Sequence, residues 1–176
     1  MPNIKAIEIG CWEGRTTIWF LNNILNHESS RIVCIDPHPK SVFFQNIQPF
    51  RHKVTLMTQI SQVALRDSSL NLNSFHFIYV DGNHAAPAVL EDAVLAFRLL
   101  RKGGIMIFDD YGWKSATPNV PQSMPKIAID AFLNVFSNRL VLLAGRQLSA
   151  ASAGVKEMQT RGHSSPDWQV AVKKLG

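Results

Sequence analysis

Residues 75–84 read Phe-His-Phe-Ile-Tyr-Val-Asp-Gly-Asn-His, and the class of fold turns on them. From Phe75 to Val80 the run is apolar on nearly every residue and is stopped by Asp81-Gly82. A strand without polar alternation is covered on both faces, which predicts a parallel sheet flanked by helices. Downstream, Pro87 opens a helix with Leu90, Ala93, Val94, Phe97 and Leu100 on one face. Arg101 and Lys102 suit its negative C-terminal end, and Gly103 is expected to terminate it in the left-handed conformation. Gly104 to Phe108 is then a further strand, followed by Asp109-Asp110.

The same alternation extends upstream. Ile4–Ile9 reads as a first strand, 16–26 as a helix with Ile18, Leu21, Ile24 and Leu25 on its stripe, and Arg31–Asp36 as a second strand. Short helices are expected over 41–48 and 61–66, on either side of a strand at Lys53–Thr58. Towards the C-terminus a helix is marked by Ile127, Ala128, Ala131, Phe132, Val135 and Phe136, a strand by Leu140–Ala144 and a last strand by Trp168–Val172. Residues 145–167, rich in Ser, Ala and Gly, read as a mobile insertion with room for a short helix. Strand–helix alternation of this kind gives an α/β doubly wound sheet. The last two strands lack a long helix between them, so an antiparallel pair at the sheet edge is expected.

Composition narrows the function. The 176 residues suit a single domain, and 46% apolar with 18% charged residues excludes a disordered chain or a coiled coil. No membrane span or signal peptide is apparent, and two cysteines, Cys11 and Cys34, favour a reducing, cytoplasmic setting. The net charge of +5 is scattered and points to neither nucleic acid nor membrane as a partner.

The acids are more telling than the bases. Ligands of open α/β sheets bind beyond the carboxyl ends of the strands. Glu8, Asp36, Asp81, Asp109 and Asp110 fall at such ends, and setting them aside leaves eight acids against 18 basic residues. Glu8-Ile9-Gly10-Cys11-Trp12-Glu13-Gly14 is a strand-to-helix turn in which Gly10 can let a ligand approach and Gly14 leaves the helix amides open. Trp12 separates it from the dinucleotide G-x-G-x-x-G; a tight turn without ligand is the alternative. Asp36, 26 residues past Gly10, suits the two hydroxyls of a ribose, as in nicotinamide and S-adenosylmethionine sites, or an ordinary Asp-Pro turn. Thr58, Gln59 and Ile60 are candidates to border an adenine. Asp81, Asp109 and Asp110 can meet at one cation, and oxygen ligands suit Mg²⁺, Mn²⁺ or Ca²⁺. His84 is open between base, packed turn residue and ligand. The pairs Trp19-Phe20 and Phe43-Phe44 are expected in the core.

Together these segments resemble class I S-adenosylmethionine-dependent methyltransferases, nearest the macrocin-type sugar O-methyltransferases. The carrying residues are Glu8 to Thr17, Ile35-Asp36, Val80 to His84, Leu100 to Tyr111 and Gln169 to Lys174. The resemblance implies a Rossmann-like sheet of about seven mostly parallel strands, the last antiparallel. It implies a cofactor held by Glu8, Gly10, Trp12, Gly14, Thr16, Asp36, Thr58 and Asp81, with Glu8 and Gly10 beside its methionine portion. It also implies a divalent metal, Mg²⁺, on Asp81, Asp109 and Asp110. Relative to that family the chain starts almost at the first strand, which leaves the acceptor site open or completed by another segment or subunit. The expected chemistry is methyl transfer to a small-molecule or sugar hydroxyl, with Asp81 or His84 taking the proton. A non-catalytic binding domain, a nicotinamide-dependent oxidoreductase and a metal-dependent oxidase are the rivals, and a homo-oligomer stays open.

Overall fold

Strand residues that are apolar on both sides oblige helices to cover both faces of a sheet. The computed structural model describes residues 3–114, 120–145 and 169–176. The described residues form seven strands: β1 (Lys5–Ile9), β2 (Arg31–Ile35), β3 (Val54–Met57), β4 (Phe75–Val80), β5 (Leu100–Phe108), β6 (Leu140–Ala144) and β7 (Val170–Lys174). They form one sheet in the order β3-β2-β1-β4-β5-β7-β6. The first five pair in parallel, and β7 runs antiparallel between β5 and β6. The expected doubly wound class is therefore what forms, and the last two strands make the expected antiparallel pair at the edge, with β6 outermost. The helices are α1 (Arg15–Asn23), α2 (Ser41–Asn46), α3 (Ser61–Ala64), α4 (Ala86–Leu99) and α5 (Pro125–Val135).

Alternation along the strands sorts the core into two layers. Ile7, Ile9, Ile78 and Val80 pack with Ala93, Phe97 and Phe132 of α4 and α5. Ala6, Cys34, Phe77 and Tyr79 face the other way, onto Phe20 and Leu21 of α1 and Phe43 of α2. Only half of each expected aromatic pair is core: Phe20 and Phe43 are buried, whereas Trp19 and Phe44 are exposed. On a helix, neighbours in sequence stand about 100° apart, so one of two adjacent rings turns outward.

The end of α4 differs from the sequence reading. The helix passes directly into β5 at Leu100, so Arg101, Lys102 and Gly103 belong to the strand and do not finish the helix. Gly103, at φ 73°, lies where two steps along β4 match five along β5, from Phe75–Leu100 to Phe77–Ile105. An irregularity of that kind is what demands the positive φ. The cation at the helix end is Lys174 of β7. Its Nζ donates to Phe97 O at 2.8 Å, Leu100 O at 2.6 Å and Asn73 Oδ1 at 2.8 Å. The last strand also sits two residues later than expected. The insertion read at 145–167 lies, apart from Gly145, outside the described residues. Among the described residues no helix is long and apolar enough to cross a membrane.

Candidate functional site

The strand order reverses between β1 and β4, and the loops leaving their carboxyl ends part there. A cleft of about 570 Å³ opens at this point. It takes Gly10 and Trp12 from the turn after β1, Asp36 from the end of β2, Ile60 and Ser61 from the start of α3, and Asp81 through His84 after β4.

The turn after β1 is shaped by contacts within the chain. A Cβ on Gly10, at φ 83°, would stand 1.8 Å from Asp81 O, so the close approach that requires glycine is that of the β4 end. Gly10 N donates to Ile35 O at 2.8 Å and Asp81 N to Ile9 O at 2.9 Å, which ties three strand ends together. Trp12, itself at φ 39°, donates its N–H to Asp36 Oδ2 at 2.8 Å, and His38 N donates to Oδ1 at 2.8 Å. Each Asp36 oxygen thus accepts one backbone N–H and keeps further acceptor capacity at the cleft wall.

Other expected cofactor residues stand back from this wall. Glu8 points into the α1 layer and is fully buried. Thr17 Oγ1 donates to its Oε2 at 2.5 Å, while Oε1 has no partner. Burial pushes the Glu8 carboxyl up to about 7, with Thr17 and Cys34 pulling it partly back. Gly14, at φ 80°, packs on Phe43, where a Cβ would meet Cδ2 at 2.9 Å. Thr16 lies in α1 and Thr58 is exposed after β3. None of these four lines the cleft, and neither does Gln59; after β3 the wall is Ile60, Ser61 and Gln62. Ser61 and Gln62 escaped the sequence reading because they open a four-residue helix with almost no periodic signal.

At the far end of the cleft, Asp81, His84 and Asp110 each present a ligand atom within 4.8 Å of the others. His84 Nε2 lies 2.6 Å from Asp110 Oδ2. The structure thus brings together two of the three expected carboxylates, Asp81 and Asp110, with His84 beside them in place of Asp109. Successive side chains leaving a strand take opposite faces, and Asp110 turns further at φ 57°. Asp109 faces the other layer, where Tyr79 OH donates to its Oδ2 at 2.6 Å and Gln169 Nε2 to its Oδ1 at 3.1 Å. Burial, followed by the nearby Asp109 and Asp110, drives the Asp81 carboxyl up to about 8. Burial and then the bond to Asp109 raise the Tyr79 phenol as well.

The segment after Asp110 is anchored by groups that the sequence reading did not single out. Tyr111 OH donates to Asp130 Oδ1 at 2.8 Å, and Lys126 Nζ donates to both Tyr111 OH and Asp130 Oδ2. The i,i+4 spacing of Lys126 and Asp130 was the available signal. This anchor holds Trp113 against His84, ring centroids 4.7 Å apart. The site therefore joins a partly apolar cleft, with the Asp36 carboxylate in its wall, to a carboxylate–imidazole cluster able to bind a cation or move a proton.

Comparisons with known proteins bear on the family and the fold. A family profile described as a methyltransferase domain matches residues 7–111. Among solved structures, a Clostridium thermocellum protein provisionally named an rRNA methylase superposes with a TM-score of 0.72 at 14% identity, covering 99% of this chain and 88% of that one. An O-methyltransferase from Bacillus cereus, in complex with S-adenosylhomocysteine, gives 0.68 at 19% identity, covering 97% and 73%. An uncharacterised protein of Acanthamoeba polyphaga mimivirus is 33% identical over 58 residues, 33% of this chain and 26% of that protein. The chain thus matches about a quarter of that relative's length.

Proposed function

The chain belongs to the methyltransferase-domain family, and on that premise we propose that it is an S-adenosylmethionine-dependent O-methyltransferase acting on a small-molecule or sugar hydroxyl. The observation that carries the reading is continuity: Asp81 and His84 line the cleft and also belong to the cluster at its end. A ligand seated in the cleft has its reactive end beside groups that handle protons or cations.

The cleft residues fit the cofactor. Asp36 retains acceptor capacity for a ribose diol, Ile35 and Ile60 would give apolar cover to a purine, and Asp81 would lie on the side of the cationic end. S-adenosylmethionine supplies a methyl group on a sulfonium leaving group, so alignment of the acceptor oxygen is the main demand on the protein. Glu8, held by Thr17, and Gly14, packed on Phe43, stand behind the turn, whereas Gly10 and Trp12 border the cleft directly. The donor set also fits a divalent metal. Two carboxylates and an imidazole widen the choice from Mg²⁺ towards Mn²⁺, compared with the all-oxygen set first expected. Asp81, His84 and Asp110 would hold it, and it would supply the charge that lowers the pKa of an acceptor hydroxyl.

A metal-free variant of this reading is favoured by the 2.6 Å pair of His84 and Asp110. In it Asp110 orients the imidazole and His84 takes the acceptor proton. The free cysteines fit a reducing, cytoplasmic setting. The similarity to macrocin-type enzymes makes a sugar hydroxyl the first acceptor to try.

Calorimetry with S-adenosylhomocysteine tests the cofactor, repeated with Mg²⁺, with Mn²⁺ and with chelator. Binding that Asp36→Asn weakens at least tenfold is the expected result, and no binding under any condition overturns the reading. Methyl transfer that survives chelator but is lost in His84→Ala selects the metal-free route. Binding with no transfer to any acceptor in a hydroxyl panel points to a non-catalytic domain.

A further inference from the structure

Basic residues that lie scattered along the sequence gather at one end of the fold. At the end of the sheet away from the cleft, each of the seven strands has a basic residue at its tip or one position from it. Lys5, Arg31, Arg51, Arg101, Arg139 and Lys173 are exposed there. The register sets Lys5 opposite Arg31 and, one residue before the Ala6–Phe77 pair, level with His76. Neighbouring strands stand about 4.8 Å apart, and like charges side by side at that spacing repel. Acids at this end do not offset them: Glu28, before β2, pairs with His52 at 2.9 Å, and Asp67, between α3 and β4, accepts the Ser69 N–H at 2.8 Å. Among the described residues those six cations form no ion pair. Asp36, Asp81, Asp109 and Asp110 lie at the opposite end, beyond the strands' carboxyl ends.

Unpaired cations spread across a whole sheet suit a partner that is itself extended and anionic, since a small ion reaches only one or two of them. Two such partners differ in what else they need. Single-stranded nucleic acid stacks its bases on aromatic rings, but the exposed rings Trp12, Trp19 and Phe44 belong to α1, α2 and the turn before α1. A lipid surface takes apolar side chains beside the cations. Leu72 and Leu175, 57% and 38% exposed, supply them as chain neighbours of Asn73 and Lys174, whose side chains bond at 2.8 Å. We propose that this end of the sheet is a docking surface for an anionic phospholipid membrane, with Leu72 and Leu175 at the lipid and the cleft turned away from it. Charge sets that orientation: the membrane attracts the basic end and repels the acidic mouth, so solutes reach the cleft freely. The surface is independent of what the cleft binds.

Vesicle co-sedimentation tests it, with phosphatidylcholine alone and with phosphatidylcholine and phosphatidylserine in roughly equal parts. Binding is expected on the anionic vesicles only, and should fall as salt is raised, because exposed charges are screened. Lys5→Gln with Arg101→Gln should weaken it about thirtyfold, at about 1 kcal/mol for each cation near the surface. Leu72→Ser should weaken it about fivefold, and no effect there overturns lipid as the occupant. Arg15→Gln with Lys40→Gln removes the same charge at the cleft end and should leave vesicle binding unchanged. Equal losses in the two double variants overturn the proposal, because net charge alone would then suffice. So does a lack of binding to anionic vesicles at low salt, or an oligonucleotide, single-stranded or duplex, that binds more tightly than they do. Should Lys5→Gln with Arg101→Gln not fold, unchanged binding in Arg51→Gln with Lys173→Gln overturns it equally. S-adenosylhomocysteine binding should be the same in every variant of the basic end, so failure here leaves the cofactor reading intact.

Discussion

Glu8 stands in the middle of the sheet with one carboxylate oxygen unpartnered, and that places a stability cost on its ionisation. Its folded value of about 7 lies above the ordinary 4.5, so the folded state binds more protons than the unfolded one between those values. Its stabilising effect is fully present below the unfolded value and is lost as pH rises through about 7. Asp92, pushed up to about 6 by burial, acts with the same sign. Urea unfolding should therefore give a more stable protein at pH 5 than at pH 8. Glu8→Gln should raise stability at pH 8 by up to roughly 3 kcal/mol, change little at pH 4 and leave a shallower slope due to Asp81 and Asp92. An unaltered slope in Glu8→Gln would show that Thr17 and Cys34 hold the ionised form after all.

Among the elements, the junction of α4, β5 and β7 shows how a local rule is overridden by a distant residue. Lys174 brings its ammonium to two carbonyls at the end of α4 and to Asn73, with its Nζ 4.7 Å from the Phe97 ring centre. Lys174→Met keeps the apolar stem but strands those acceptors, and should cost about 2–4 kcal/mol in chemical unfolding. A loss under 0.5 kcal/mol would mean that water replaces the ammonium. Strands and helices with strong apolar patterning could be read from the chain, because burial of a face dictates period: β4 and β6 occupy the residues expected of them. The end of α4 could not, since Gly103 after two basic residues imitates a helix stop while the real capping cation lies over 70 residues away. Asp36 and Asp81 were likewise readable at the cleft, because strand ends in this sheet class converge there. The choice between Asp109 and His84 was not, since it depends on the left-handed turn at Asp110 and on Gln169 reaching Asp109 from the last strand.

Across the whole molecule, the order β3-β2-β1-β4-β5-β7-β6 divides the cleft between two halves of the sheet. One wall comes from the turns after β1, β2 and β3, and the other from the turn after β4, beside which stands Asp110 from the end of β5. Backbone bonds from Gly10 to Ile35 and from Asp81 to Ile9 already join these halves at the base of the cleft. Above that base, among the described residues, no hydrogen bond joins the two walls, so a ligand that spans them should order both together. Saturating S-adenosylhomocysteine at about 100 times its Kd should add about 2.7 kcal/mol to the unfolding free energy. Hydrogen exchange should slow in residues 10–14, 36–40, 60–63 and 81–85 in the same titration. Amides in those turns open locally, so their protection reports contact with the ligand, whereas deep amides of β1 and β4 follow global stability. Protection confined to 36–40 and 60–63 would mean that the ligand rests on one wall only. In that case Asp81 and His84 would lie beyond its reactive end, and the proposed transfer to an acceptor beside Asp110 would fail on geometry.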